Sequence, residues 1–381
     1  MRDVINLFHR DILTLRSHHW KYFMNTYTGC SYCCAYCLNA YTNDFYKKID
    51  VDEDVISEID KNLKKLDKRI VFFGSNTDPY IKEEQETQCT RRILKLFLKY
   101  EIPLTILTKS TLIERDIDVL EELAKKNLVL VQTTITTTDE KSKKIELNVP
   151  TTNKRINIIR KMTEKGIPVH IHFSPVIPFL NTTEEIDELI KSVADAGAKC
   201  VYSNILGIHS HDNKLLFNSL KNIDESLPQK LKQIYKLDVE KENYIHSPYG
   251  KFILEQMKPV KDACLKYKIG YVNEMFPEET EIEYSDMNNN KFFEKALPTI
   301  YNMMEYFENK KDPVNFNEFC EGYLYKHVDK LKDKEYIDYI KKLWNNNELF
   351  GLTKIRKVSE NEYLRCEDYE INMNDFCKWN T

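Results

Sequence analysis

Four of the ten cysteines in this chain lie within eight residues, and they are the side chains most able to do chemistry: Cys30, Cys33, Cys34 and Cys37. The spacing Cys30-x3-Cys34-x2-Cys37 places three thiolates on one short loop, directly after a predicted strand. Such a loop can bind three of the four irons of a [4Fe-4S] cubane, whereas these clusters normally take four thiolates. The spacing therefore predicts a cluster with one iron open to a ligand from outside the chain.

The same four residues also form two adjoining Cys-x2-Cys pairs. Pairs of this kind occur in zinc sites and in redox-active proteins. A zinc site usually separates its two pairs by about 12–20 residues, whereas here they abut. A redox-active pair opens a helix in a fold of another kind. An iron–sulfur cluster is thus favoured, and a zinc-bearing binding protein is the rival from another class. Cys33 is the odd member of the group and is predicted to be a bystander.

The composition limits the class of protein. The chain has 381 residues, with 56 Lys and Arg against 60 Asp and Glu, so its formal net charge is −4. This balance excludes a strongly basic nucleic-acid-binding protein, although a local basic groove stays possible. The amino terminus has no apolar stretch typical of a signal peptide, and no run of 18 apolar residues occurs. We therefore predict a cytoplasmic protein with no membrane span, in which clustered cysteines indicate metal binding or catalysis.

Short β-rich runs alternate with amphipathic helical stretches along the first two thirds of the chain. The predicted strands are Lys21–Tyr27, Arg69–Gly74, Leu104–Thr108, Val129–Thr136, Val169–Ser174 and Cys200–Leu206. The predicted helices are Val51–Lys68, Glu86–Tyr100, Ile117–Lys126, Asn153–Lys165 and Thr183–Ala196. This alternation predicts parallel βα units and an α/β fold. No Gly-x-Gly-x-x-Gly turn follows the first strand, which favours a partial (β/α)6 TIM-like barrel over a doubly wound sheet.

The chain is predicted to divide near residue 275. Residues 1–275 form the core barrel, with a seventh unit made of a helix over Tyr249–Tyr267 and a strand over Ile269–Asn273. Residues 276–381 form a mostly helical carboxy-terminal extension. It begins with an acidic linker at Pro277–Asn290 and includes a β-hairpin within residues 350–365. We expect this extension to recognise substrate or to act as a lid.

The cysteine spacing, with the aromatic Tyr36 before the last cysteine, resembles the signature of the radical S-adenosylmethionine (SAM) superfamily. The resemblance implies that SAM chelates the open iron and that the reduced cluster cleaves SAM to a 5′-deoxyadenosyl radical. That radical abstracts hydrogen from a substrate C–H bond. The segments Gly74–Tyr80, Thr90–Leu94 and Ile106–Ser110 are similar to the subgroup related to spore photoproduct lyase. The similarity covers about residues 20–275.

One segment departs from the subgroup pattern. Related sequences often read Glu-Pro-Arg-x-Pro where this chain has Glu146-Leu147-Asn148-Val149-Pro150. Because Asn148 stands at the arginine position, a guanidinium contact to the SAM carboxylate cannot be transferred to it. Lys109 and Arg155 are the two candidates to replace it, and the sequence leaves the choice open.

Reactive groups in barrels lie at the carboxyl ends of the strands, and the polar residues at those positions are the candidate SAM contacts. The resemblance implies that the loop after the second strand binds the SAM amino group and that Tyr36 packs near the adenine. A lysine at the end of the third strand can meet a carboxylate, and polar strand-end side chains can contact the ribose or adenosine. Each has a structural alternative: a plain turn, a solvated lysine, ordinary strand propensity or a strand cap. His172 and Ser174 are candidates to hold substrate, and no catalytic residue is assigned. The candidate SAM contacts are Tyr36, Gly74, Ser75, Thr77, Asp78, Lys109, Thr134 and Asn204.

The substrate class follows only weakly from the sequence. Phosphate binding requires a basic surface, so the acidic balance favours a peptide or a small metabolite over a nucleic acid. Repair or modification of a nucleic-acid base is the alternative. An electron donor such as flavodoxin or ferredoxin is expected as a partner.

Overall fold

The computed structural model describes most of the barrel and part of the carboxy-terminal extension. The described residues are 5–7, 22–41, 45–47, 49, 54–209, 213–237, 245–248, 250–274, 279–281, 291–298, 303, 306–307, 310, 312–345, 355–359 and 362–365. The predicted linker Pro277–Asn290 lies almost entirely outside these residues.

Strands and helices alternate along the described chain, as the sequence predicts. In chain order the elements are β1 (Ile5–Leu7), β2 (Tyr22–Met24), α1 (Val55–Leu63), β3 (Val71–Phe73), α2 (Cys89–Tyr100), β4 (Leu104–Thr108), α3 (Ile117–Lys125), β5 (Val129–Thr134), α4 (Asp139–Ile145), α5 (Thr152–Glu164), β6 (Val169–Val176), α6 (Thr183–Asp195), β7 (Cys200–Ile205), β8 (Ile208–His209), α7 (Lys214–Lys221), α8 (Leu227–Tyr235), β9 (Ile245–His246), α9 (Gly250–Lys266), β10 (Gly270–Asn273), β11 (Val314–Asn315), α10 (Lys334–Asn345), β12 (Ile355–Ser359) and β13 (Glu362–Arg365). Single helical turns occur at Leu38–Tyr41, Glu84–Thr87, Leu112–Asp116 and Phe293–Lys295. A longer helical segment runs through Phe316–Phe319, a π-helical stretch at Cys320–Leu324 and Tyr325–His327.

One sheet of eight strands organises the core. Its order is β1-β2-β3-β4-β5-β6-β7-β10, and the seven strands from β2 to β10 are parallel. Parallel neighbours need crossover connections, which the intervening helices supply. The α/β fold and the seventh βα unit are therefore confirmed. Within the described residues β1 and β10 are the two edges, so the sheet is open, as in a partial barrel; β1 is antiparallel to β2 and was not predicted.

The two faces of the sheet differ in character because side chains alternate along each strand. Val169, Ile171 and Phe173 of β6 are fully buried in the large apolar core that includes the helices. The alternate residues His170 and His172 face the opposite side of the sheet, which we call the lumen. The His170 ring stacks on Tyr202 of β7 with centroids 5.7 Å apart. The lumen is therefore the polar side of the sheet at these strands.

The carboxy-terminal extension contacts the amino ends of the strands. Phe292 packs in an apolar cluster with Phe72 of β3 and Leu130 of β5. Arg69, just before β3, donates to the Ala296 carbonyl at 2.9 Å and pairs with Asp333 at 2.9 Å. These contacts anchor the extension at the end of the lumen opposite to the carboxyl ends of the strands.

The extension also has an apolar cluster of its own, centred on Phe319 and the buried Trp344. The predicted hairpin is confirmed: β12 pairs antiparallel with β13, and β13 pairs with β11. No helix in the described part of the chain is long and apolar enough to cross a membrane.

Candidate active site

The cysteine loop follows β2 at the carboxyl edge of the sheet and is held by hydrogen bonds along its length. Its backbone turns at Gly29 and at Cys33, both with positive φ (84° and 43°). The Tyr46 hydroxyl donates to the Cys34 carbonyl at 2.6 Å, and the Ala35 amide donates to the Ile145 carbonyl at 2.8 Å. Hydrogen bonds of this kind hold the backbone of the loop in place.

The three predicted ligands are free thiols on this loop. Cys30 and Cys34 are buried and Cys37 is partly buried. Burial raises the pKa of Cys30 to about 11 and raises that of Cys34 well above its usual value, and the neighbouring cysteine thiols contribute to the Cys34 shift. The thiols of Cys30 and Cys34 are therefore protonated near neutral pH, and metal binding must release their protons.

Lys109 lies next to the cysteine loop. Its ammonium nitrogen is 5.8 Å from the centre of the Tyr36 ring. Burial opposes its charge, but the thiols of Cys34 and Cys37 and the carboxylates of Glu146 and Asp78 favour it, so its pKa is raised. The structure thus places one cation beside the predicted cluster ligands.

Arg155 is engaged with a buried carboxylate. Its guanidinium group pairs with Glu146 at 2.5 Å and donates to the Thr134 carbonyl at 2.8 Å. Glu146 also accepts a hydrogen bond from the Tyr36 hydroxyl, and its backbone forms a β-bridge with Cys34. Arg155 therefore holds the cysteine loop through Glu146. Asn148, at the departing position of the motif, donates to the Ser31 carbonyl at 2.8 Å and fastens the same loop.

The loop after β3 brings four of the candidate SAM contacts together, and its side chains make internal hydrogen bonds. Gly74 has a φ of +94°, and a Cβ there would lie 2.7 Å from the Leu107 carbonyl oxygen. Ser75 accepts from Asn25 at 3.0 Å, and Thr77 donates to the Tyr27 carbonyl at 3.0 Å. The Asp78 carboxylate accepts from the Thr108 hydroxyl and the Lys109 amide, both at 2.7 Å. This loop fastens β2, β3 and β4 to one another at their carboxyl ends.

The other two candidates lie farther along the sheet. The Thr134 hydroxyl at the end of β5 is buried and has no hydrogen-bond partner within the described residues. Asn204, near the end of β7, hydrogen-bonds with the carboxyl group of Glu274. Burial raises the pKa of Glu274 to about 7, and the hydrogen bond from Asn204 opposes this rise.

Glu274 was missed by the sequence analysis. It follows β10 directly, so its place after a predicted strand was the available signal. The structure brings it beside His172, with 3.9 Å between the His172 Nε2 and the Glu274 Oε1. Among the described residues no three His, Cys, Asp or Glu side chains gather closely enough to hold a single metal ion.

Comparison with known proteins identifies the family that the first half of the chain resembles. The model of the radical SAM superfamily matches residues 24–193. An uncharacterized protein of Mycobacterium tuberculosis is 27% identical over 277 residues, covering 69% of this chain and 79% of the relative. An uncharacterized protein of Methanocaldococcus jannaschii is 34% identical over 172 residues, covering 44% of this chain and 64% of the relative.

A solved structure shows the same fold. Spore photoproduct lyase, in a variant with bound AdoMet and a dinucleoside spore photoproduct, superimposes with a TM-score of 0.53. The match covers 72% of this chain and 87% of the lyase at 12% identity, so it is a likeness of fold. The matched domain begins within β2 and includes the cysteine loop and the strands up to α6. Residues 24–193 therefore form a radical SAM domain, and the chain is an enzyme whose cofactors are a [4Fe-4S] cluster and SAM.

Proposed function

We propose that Cys30, Cys34 and Cys37 bind three irons of the [4Fe-4S] cluster and leave the fourth for SAM. The observation that carries this proposal is the set of three free thiols on one hydrogen-bonded loop at the carboxyl edge of the sheet. Three thiolates match three of the four irons, and active sites of such barrels lie at this edge. The chemistry supplied by the bound pair is reductive cleavage of SAM to methionine and a 5′-deoxyadenosyl radical, which abstracts hydrogen from a substrate C–H bond.

Lys109 is the residue we propose for the SAM carboxylate. Arg155, the other candidate, already holds Glu146 and the Thr134 carbonyl. The Lys109 ammonium lies beside Tyr36 and the cysteine thiols, and charge pairing with a carboxylate suits a lysine there. We keep the Gly74–Asp78 loop as the SAM amino-group site and Tyr36, Thr134 and Asn204 as further SAM contacts.

The electron donor is proposed to dock on the outer side of the cysteine loop. An open groove of about 1070 Å³ lies there, lined among others by Tyr32, Cys33, Lys82 and Arg115. It gives a small redox protein such as flavodoxin or ferredoxin close access to the loop. The reaction itself takes place on the lumen side, which keeps electron entry apart from the substrate.

The substrate is proposed to be a peptide or a small metabolite of the cytoplasm. The net charge of −4 counts against a nucleic acid, whose phosphates require a basic surface. Modification or repair of a nucleic-acid base is the second candidate, and the likeness of fold to spore photoproduct lyase speaks for it. Residues 276–381 are proposed to form a separate carboxy-terminal region, and their own apolar cluster supports this division.

Anaerobic reconstitution tests the proposed ligands. The wild-type chain should bind about four irons and form 5′-deoxyadenosine from SAM with dithionite as reductant. Cys34→Ala should lose the cluster, whereas Cys33→Ala on the same loop should keep it. A Cys34→Ala variant with full iron content, or a wild-type protein that binds zinc and no iron, would show that the proposal is wrong.

A further inference from the structure

Three polar side chains meet at the carboxyl ends of β6, β7 and β10: His172, Asn204 and Glu274. The strands are adjacent and parallel, and His172 lies opposite Tyr202 in the register of β6 and β7. Because alternate residues share a face, Asn204 lies on the same side of β7 as Tyr202. The three side chains therefore stand together in the lumen, at the end where barrel enzymes bind substrate.

Glu274 is the unusual member of this group. It is only 4% exposed, and its Oε1 has no hydrogen-bond partner within the described residues. His172 Nε2 lies 3.9 Å from that oxygen, which is beyond hydrogen-bonding distance. A buried acceptor without a partner loses its hydrogen bonds to water and gains none in return, so a purely structural role does not account for it.

The other buried carboxylates of the described chain have guanidinium partners. Glu84 pairs with Arg115 at 2.6 Å, and Glu146 pairs with Arg155 at 2.5 Å. In the same way Asp116 pairs with Arg91 and Arg115, and Asp333 pairs with Arg69. Glu274 alone among the described buried carboxylates has no Lys or Arg partner, and burial accordingly raises its pKa to about 7.

We propose that Glu274 binds a positively charged nitrogen group of the substrate, an ammonium, amidinium or guanidinium, with Asn204 orienting the carboxylate. Such a group supplies the charge and the hydrogen-bond donors that the other buried carboxylates receive from arginine. The bound nitrogen group would then lie at the carboxyl ends of β6, β7 and β10, away from the cysteine loop that follows β2. The inference rests on the proposed function, since it takes the lumen to be the substrate site.

Probe binding tests the inference without knowledge of the substrate. Acetamidine, acetamide and acetate have nearly the same shape and differ in charge. Their affinities are measured by ligand-observed NMR at pH 8, first without SAM and then with SAM added. We expect acetamidine to bind the wild-type protein at least tenfold more tightly than acetamide or acetate. Glu274→Gln should weaken acetamidine binding at least tenfold. Glu279→Gln is the matched control, because Glu279 pairs with Lys261 at 3.0 Å and should leave acetamidine binding unchanged.

Several outcomes would overturn the inference. Equal acetamidine binding by wild type and Glu274→Gln would do so, provided that circular dichroism shows both to be folded. Tighter binding of acetamide than of acetamidine would assign the site to neutral amides, and displacement of acetamidine by SAM would assign Glu274 to the cofactor. Formation of 5′-deoxyadenosine by the wild type is measured separately. Its absence would contradict the proposed function and leave the probe result standing.

Discussion

The two sides of the lumen differ in how their carboxylates are paired. On the side of β2, β3 and β4, the Asp78 carboxylate accepts from Thr108, from the Lys109 amide and from the Tyr80 amide. On the side of β5 to β10, the Glu274 Oε1 has no hydrogen-bond partner within the described residues. Buried polar groups are normally paired, so the second side has hydrogen-bonding capacity that a ligand can use.

This difference suggests that one side of the lumen holds the cofactor and the other binds the substrate. The cofactor chemistry requires fixed positions for three thiols, and the internally paired side provides a rigid frame for them. The substrate must enter and leave, and the side with unpaired groups provides affinity only when a ligand is present. A charged residue is therefore expected to stabilise the fold on the first side and to bind ligand on the second.

Removal of Arg155 should have the largest effect, because it breaks the paired side. Arg155→Met leaves Glu146 as a buried charge without its guanidinium partner, and both side chains are 1% exposed. Loss of one partner of a buried pair typically costs about 3–5 kcal/mol. We expect that loss in the free energy of unfolding, measured by urea denaturation, together with reduced iron loading because Glu146 bridges to Cys34.

An exposed ion pair serves as the control for this variant. Lys126 and Glu101 are 2.5 Å apart with both side chains about half exposed. Solvent screening makes such pairs weak, so Lys126→Met should leave the unfolding curve nearly unchanged. Similar losses for Arg155→Met and Lys126→Met would show that the buried pair does not support the cysteine loop.

The pH dependence of stability should test the unpaired carboxylate of Glu274 on the second side of the lumen. The pKa of Glu274 is raised from 4.5 to about 7, so the folded state holds its proton more tightly than the unfolded state. Stability from this group is present below pH 4.5 and is lost as the pH rises to 7. Between pH 5.5 and 8 the free energy of unfolding of the wild type should fall by about 2 kcal/mol more than that of Glu274→Gln. The fall is about 1.4 kcal/mol for each pH unit up to the pKa of the folded state.

Urea denaturation of the apo-protein at several pH values checks this expectation. His172 is the titratable group that faces Glu274, so the same comparison is repeated in a His172→Asn background. A difference between wild type and Glu274→Gln that does not change with pH would mean that the carboxyl group is not held protonated in the fold.

The sequence predicts the repeating part of the fold well because its signal is local. The predicted strand Leu104–Thr108 is observed with the same bounds, and the helix predicted at Thr183–Ala196 is observed at Thr183–Asp195. The three-residue strand β1 and the two-residue pair β8 and β9 were missed. Such short strands carry too few residues for a periodic pattern, and long-range pairing determines them.

The sequence predicts candidate site residues only where their spacing along the chain points to a particular chemistry. The cysteine loop follows from spacing, and the assignment of its three free thiols as cluster ligands stays a prediction. The choice between Lys109 and Arg155 depended on which cation already has a carboxylate partner, and that is a property of the packed molecule. Glu274 was missed for the same reason, because an unpaired carboxylate is recognised only when its surroundings are known.

Substitution of Cys33 should have the smallest effect, although this residue lies in the middle of the cysteine loop. Its φ of +43° is in the left-handed region, where a residue with a side chain is strained by roughly 1–2 kcal/mol. Cys33→Gly relieves that strain, but the added freedom of the unfolded chain costs about 0.5–1 kcal/mol, so the net gain in stability should stay below about 1.5 kcal/mol. Iron content should equal that of the wild type, because the partly exposed thiol faces the outer groove.

Iron analysis and urea denaturation of Cys33→Gly beside Cys33→Ala check both expectations. A loss of iron in both variants would make Cys33 a ligand, whereas a loss in the alanine variant alone would show that the loop needs the left-handed turn.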